Sequence, residues 1–168
     1  IENIHALLKA GADKVSINSA AIKNPNIIKE ASEYFGNQCI VVAVDVKKIK
    51  DDWDVFSHGG TKNTNLQAFD WIKTVQELGA GEILLTSVDN EGTKKGFDFE
   101  LIKKVSESVS IPVIASGGMG EHEHLNKVVK ESSADAVAMA DILHYERSSI
   151  EDIRKYCIKN NINVREYE

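Results

Sequence analysis

The sequence predicts an α/β fold in which about five parallel strands are covered by helices, and three observations lead there. Short apolar runs alternate with longer amphipathic ones, the βαβα order of a parallel sheet with helical cover. The run centres Val41-Val42-Ala43-Val44, Ile83-Leu84-Leu85-Thr86, Val113-Ile114-Ala115-Ser116 and Ala136-Val137-Ala138-Met139 stay largely apolar at successive positions, as strands buried on both faces must; an antiparallel meander would alternate. Each of the first three runs also ends in polar residues: Val44 leads to Asp45, Leu85 to Thr86-Ser87-Val88-Asp89-Asn90-Glu91-Gly92-Thr93, and Ala115 to Ser116-Gly117-Gly118-Met119-Gly120. Polar groups at C-terminal strand ends are how (β/α)8 barrels of the TIM type build their sites.

Taken in order, a helix over Ile1–Ala10 stops at Gly11, and a strand over Lys14–Asn18 follows. The next helix, Asn24–Phe35, carries Pro25 in its first turn, where a missing N–H costs nothing. Ile40–Val46 is the second strand. The charge run Lys47–Asp52 reads as a solvated turn, and His58–Thr64, with Gly59-Gly60, as either a lid over a site or an exposed hairpin connection. A helix over Asn65–Leu78 is closed by Gly79. Then come strand Glu82–Val88, helix Phe97–Val109, strand Pro112–Ala115, helix His122–Glu131, strand Ala136–Ala140 and helix Ser148–Asn160. The segments Ala10–Asp13, Leu78–Gly81 and Ser132–Asp135 fall at equivalent helix-to-strand positions, a weak internal repeat.

A closed barrel needs eight strands and about 250 residues, so residues 1–168 read as one domain, an incomplete barrel corresponding to the C-terminal two thirds. Its outer strands would be unpaired edges, which favours self-association or opening into a layered sheet.

The 168 residues contain 42% apolar and 27% charged residues with a net charge of −6. Such a balance disfavours non-specific nucleic-acid binding and offers no basic face to an acidic membrane. No apolar run approaches the ~20 residues of a span. Two cysteines, Cys39 and Cys157, fit a reducing, cytoplasmic setting better than a disulfide framework. His122 and His124 stand two apart and would not share a helix face; no metal or cofactor is expected.

Three places carry chemistry. Asp45, at a partly desolvated strand end, is placed to move protons, although pairing with Lys47 or Lys48 would explain it as well. Asp89 with Glu91 and Gly92 is placed to work as an acid–base pair or to position a hydroxylated substrate, although turn formation alone favours such residues. The Ser116-Gly117-Gly118 turn lets backbone N–H groups approach an anion ahead of a helix, phosphate being the natural ligand, although a tight connection also needs glycine. Asn18-Ser19 is a second candidate anion site, with helix capping the plainer explanation.

Together, Ala12–Ala20, Val41–Asp45, Gly79–Ser87, Gly92-Thr93, Ile114–Gly118 and the closing Asn161-Ile162-Asn163-Val164-Arg165 resemble the cyclase subunit family of imidazole glycerol phosphate synthase, HisF. The resemblance covers essentially the whole chain, in order. It implies a cyclase (lyase) of histidine biosynthesis that takes ammonia from a glutaminase subunit (HisH-like). The substrate would be a bis-phosphorylated ribulosyl aminoimidazole carboxamide nucleotide, and the products imidazole glycerol phosphate and an aminoimidazole carboxamide ribotide.

On this resemblance Asp45 is one of two acid–base aspartates, the other belonging to a strand absent from this sequence, so that the chain alone is expected to be inactive. Asn18 and Ser19 fall near one substrate phosphate and Ser116, Gly117 and Gly118 near the other, with Thr86, Asp89 and Gly92 lining the site. Lys14 and Glu82 fall on the ammonia gate of the opposite face, and Asp13 on the glutaminase-docking face. The sequence departs from the family at Asp141, where a serine is usual near a phosphate, at Asn90-Glu91, where Arg-Asp is usual, and at Asn63-Thr64-Asn65, which lacks a loop glycine. Two further readings stand beside the cyclase: a HisF-like subunit of surface-sugar amidation, and a non-catalytic phosphate-binding partial barrel.

Overall fold

The computed structural model describes residues 1–165. Its elements run α1 (Glu2–Lys9), β1 (Val15–Ile17), α2 (Ser19–Lys23), α3 (Asn26–Phe35), a 3-10 turn (Asn37–Cys39), β2 (Ile40–Ile49), β3 (Asp52–Ser57), β4 (Lys62–Gln67), α4 (Ala68–Glu77), β5 (Glu82–Ser87), α5 (Phe99–Ser108), β6 (Val113–Ser116), α6 (Glu123–Lys130), β7 (Ala136–Ala138), α7 (Asp141–His144) and α8 (Ile150–Lys159). The five expected strands are β1, β2, β5, β6 and β7, and every pairing among them is parallel. The α/β fold of barrel type is therefore present, with its sheet open.

The long strand β2 organises the sheet. Its first residues pair with β1, its last five pair antiparallel with β3 on the same side, and β5 lies along its other side. Beyond β5 come β6 and β7, so β1 and β7 are the outer edges of the parallel part.

Register divides the side chains into two faces. Val42, Val44 and Val46 of β2, Ile83 and Leu85 of β5 and Ala115 of β6 are wholly buried against the helices, where Ile28, Ile72, Val75, Leu101, Val105 and Val128 meet them. On the other face Ala43, Leu84, Ile114 and Val41 share rows across the sheet; Ala43, Leu84 and Ile114 are only partly buried. The sealed core thus lies between sheet and helices, and the face that would line a barrel interior is open.

The strands β3 and β4 are not among the expected elements, although an exposed hairpin connection is one of the two readings of His58–Thr64. Lys47–Asp52 is not a solvated turn: β2 continues to Ile49 and β3 begins at Asp52. Charged residues there mask an ordinary alternation, because Lys48 turns its ammonium over the Trp53 ring at 4.7 Å while Trp53 itself is 1% exposed. An ammonium on an aromatic face is stabilised by the ring quadrupole, so the lysine serves as a cover for the indole. The His58–Thr64 stretch contains the hairpin connection, with Asn63 and Thr64 already in β4, and Asn65–Gln67 complete that strand rather than opening the helix. Two short helices, α2 and α7, were also unforeseen; each is under six residues and follows a strand end directly.

Candidate functional site

The C-terminal ends of four strands meet in one row. Asp45 is the register partner of Thr86, Thr86 of Ser116, and Ser116 of Ala138. Parallel partners in register present their side chains to the same face, so a carboxylate and two hydroxyls stand side by side on the open face. At the other end of the strands Lys14 and Glu82 form an ion pair, while Asp13 is exposed beside them.

Asp45 is half-buried, and burial pushes its carboxyl above the ordinary carboxylate range; an opposing, smaller influence is the hydrogen bond from Asn18. Asn18 Nδ2 donates to Asp45 Oδ2 over 2.9 Å. The other end of that amide, Asn18 Oδ1, is buried with no hydrogen-bond partner among the described residues. Asn18 precedes α2 but does not cap it with its side chain, so the capping explanation for this residue falls away. Its neighbour Ser19 receives the backbone N–H of His58 at 3.4 Å, which ties the hairpin to the start of α2. Between them opens a cleft of about 580 Å³ whose lining includes Lys23, His58 and Lys62.

A smaller pocket, about 160 Å³, lies where the loops after β5, β6 and β7 converge, and Gly92, Ser116, Gly117 and Gly118 are in its wall. Gly117 and Gly118 have φ of +96° and +97°, and among the described residues neither donates its N–H to a backbone oxygen. A side chain at Gly118 would run into the carbonyl of Gly96, so close backbone approach and left-handed geometry both require glycine here. Spare N–H groups in a concave turn are suited to an anion.

Two carboxylates share this wall, Glu91 and Asp141. Asp141, the departure noted in the sequence, is ion-paired with Arg147, and that guanidinium offsets the repulsion a bare carboxylate would exert on an anion. Asn90, part of a second departure, is structural: Nδ2 donates to Gly96 O at 2.9 Å and Oδ1 receives Ser87 Oγ at 3.2 Å. The Asp89 carboxylate receives the Lys48 N–H at 2.8 Å, binding the loop after β5 to the last residues of β2. Sequence reasoning missed Arg147, since nothing in the spacing pairs it with Asp141 until α7 folds the chain back.

Cys39 and Cys157 are both free thiols, and burial raises Cys157 away from thiolate reactivity. Among the described residues no group of three His, Cys, Asp or Glu side chains is disposed to hold a metal ion, and no helix is long and apolar enough to cross a membrane.

Fold and site together define a chain of β/α-barrel type with its polar groups collected at the C-terminal strand ends. Residues 1–149 match the model of the histidine biosynthesis protein family. The chain is 50% identical over 185 residues to the imidazole glycerol phosphate synthase subunit HisF of Methanocaldococcus jannaschii, covering 98% of this chain and 68% of the relative. It is 51% identical to the HisF subunit of Clostridium botulinum and 52% identical to that of a Hydrogenobaculum species, each alignment covering 98% of this chain and 66% of the relative. The chain belongs to the histidine biosynthesis family, among its HisF proteins, and spans about two thirds of the length of these curated relatives.

Proposed function

We propose that the chain is the larger part of the cyclase of imidazole glycerol phosphate synthase, in which Asp45 moves protons while ammonia is added to a bis-phosphorylated ribulosyl aminoimidazole carboxamide nucleotide in the cytoplasm. The observation that carries this reading is the row Asp45–Thr86–Ser116 with anion-suited ground on either side of it. On the reading, the nucleotide lies across the row with one phosphate near Asn18 and Ser19 and the other against Gly117 and Gly118, while Thr86 and Gly92 line the middle. An Asp45 carboxyl held above its ordinary range binds a proton more readily near neutrality than a solvated aspartate does, which suits alternating general-acid and general-base roles.

Ammonia would come from a glutaminase subunit docked on the opposite face beside Asp13, entering past the Lys14–Glu82 pair. Support for a partner of some kind comes from the relatives, each of which is named as a subunit.

Ammonia-dependent turnover of the nucleotide tests the proposal, assayed with this chain alone and with the chain joined to the N-terminal third of the Methanocaldococcus relative. Activity in the joined protein that disappears with Asp45→Asn supports it. A folded joined protein without activity refutes it and leaves the non-catalytic phosphate-binding reading, which the open inner face favours.

A further inference from the structure

The turn that carries Gly117 and Gly118 leaves β6 at Ser116 and reaches α6 only at Glu123. Its near end is held by Gly96, whose N–H donates to Gly118 O at 2.8 Å. The residue before α6, His122, contributes no side-chain cap. What holds the far end is His124, the second residue of the helix: side chains on a helix lean toward its N-terminus, and Nδ1 of this ring receives the N–H of Gly120 at 3.1 Å and, more weakly, that of Glu121 at 3.4 Å. The ring edge also packs near Gly96, and Nε2 faces Glu121 Oε1 at 3.4 Å. With only 13% of its side chain exposed, the ring is wedged between the loops that follow β5 and β6.

A ring nitrogen that accepts an N–H carries no proton. The hydrogen-bond pattern therefore specifies a neutral imidazole with its proton on Nε2, directed toward Glu121. We propose that His124, as this tautomer, is a positioning residue for the anion-binding turn: it takes up the N–H groups of Gly120 and Glu121 and thereby fixes the turn with those of Gly117 and Gly118 free to face a ligand. The inference rests on the reading of that turn as a phosphate site.

The experiment is a titration of the chain with inorganic phosphate, followed by the amide resonances of Gly117 and Gly118, for the unaltered protein, His124→Ala and His124→Asn. Asparagine places an oxygen acceptor near the Nδ1 position without a ring. Alanine should weaken phosphate binding on the order of tenfold, the scale of one or two net hydrogen bonds, and asparagine should recover most of the loss. Equal affinity in the alanine variant overturns the inference.

The imidazole nitrogen resonances of the unaltered protein give a second decision that does not depend on either variant folding. An unprotonated Nδ1 and a protonated Nε2 are expected, and the reverse pattern overturns the proposal. Should phosphate shift no resonance in any of the proteins, the phosphate reading fails by itself. Amide exchange at Gly120 and Glu121 then decides for His124: protection in the unaltered protein that is lost in the alanine variant supports the clamp, and equal exchange refutes it.

Discussion

Asn18 and Asp45 stand at the C-terminal ends of neighbouring parallel strands and are joined by one hydrogen bond of 2.9 Å from amide to carboxylate. The bond opposes the effect of burial, since it stabilises the ionised carboxyl that desolvation disfavours. Removing it in Asn18→Ala should move the Asp45 titration further upward, to be followed by carboxyl carbon NMR. An unchanged or lower midpoint would show that the amide does not act on the carboxylate.

The same carboxyl has a sign in stability. Held above its unfolded value, it binds its proton more tightly in the folded chain, so its contribution to stability falls as pH rises from the ordinary aspartate range through the raised one. Asp45→Asn removes that fall. Its melting temperature at pH 7 should equal or exceed that of the unaltered protein, while turnover of the barrel-completed protein drops on the order of 100-fold or more. Thermal unfolding and a rate assay check the two halves separately.

Arg147 is expected to matter to an anion through Asp141 more than through itself. Arg147→Ala leaves an unpaired, partly buried carboxylate in the pocket wall, and phosphate affinity should fall on the order of tenfold. Adding Asp141→Ser to it should restore binding. Calorimetric titration of the two variants decides, and a double variant as weak as the single one would assign the phosphate contact to Arg147 itself.

Gly118→Ala should cost about 1–3 kcal/mol, because the residue has φ of +97° and its new methyl meets the Gly96 carbonyl. Trp53→Ala should cost more, about 3–5 kcal/mol as for other buried aromatics: the indole is 1% exposed, donates Nε1 to Asp98 at 3.2 Å and lies beneath both Lys48 and Lys104. Urea unfolding measures both. Equal midpoints for Trp53→Ala and the unaltered protein would mean that the hairpin is not part of the cooperative unit.

The parallel part of the sheet was legible because its strands are apolar at consecutive positions and the helices between them are closed by Gly11, Gly79 and similar signals. The row Asp45–Thr86–Ser116 was legible for the same reason, since each member is the first polar residue after such a run. The strands of the hairpin were not, because Lys47, Lys48, Asp52 and Asp54 look solvated until Phe56 and Trp53 supply the rings that Lys47 and Lys48 cover and Asn63 ties back to Asp54 at 2.9 Å. The place of Asp89 after a strand suggests a ligand-facing carboxylate, and Asn90 stands out only as a departure from the family; in the fold the side chains of both have backbone partners, which only the three-dimensional course of the loops reveals.

Self-association follows from the edges. Among the described residues β1 and β7 are each paired on one side only, so a chain of these 168 residues should form dimers or larger species, measured as solution mass by light scattering. A monomer at all concentrations would mean that short strands of three residues are too small a template for pairing.

The division of the sheet into a sealed outer face and an open inner one has an architectural meaning. Because the helices, and not the centre of the barrel, complete the hydrophobic interior, strands and helices of this chain share one continuous core that does not depend on a closed circle. A chain built this way keeps its interior whatever stands on the inner face, where Ala43, Leu84 and Ile114 are only partly buried. New arrangements of strand-end groups then become accessible by changing loops alone, on a frame that already holds itself together.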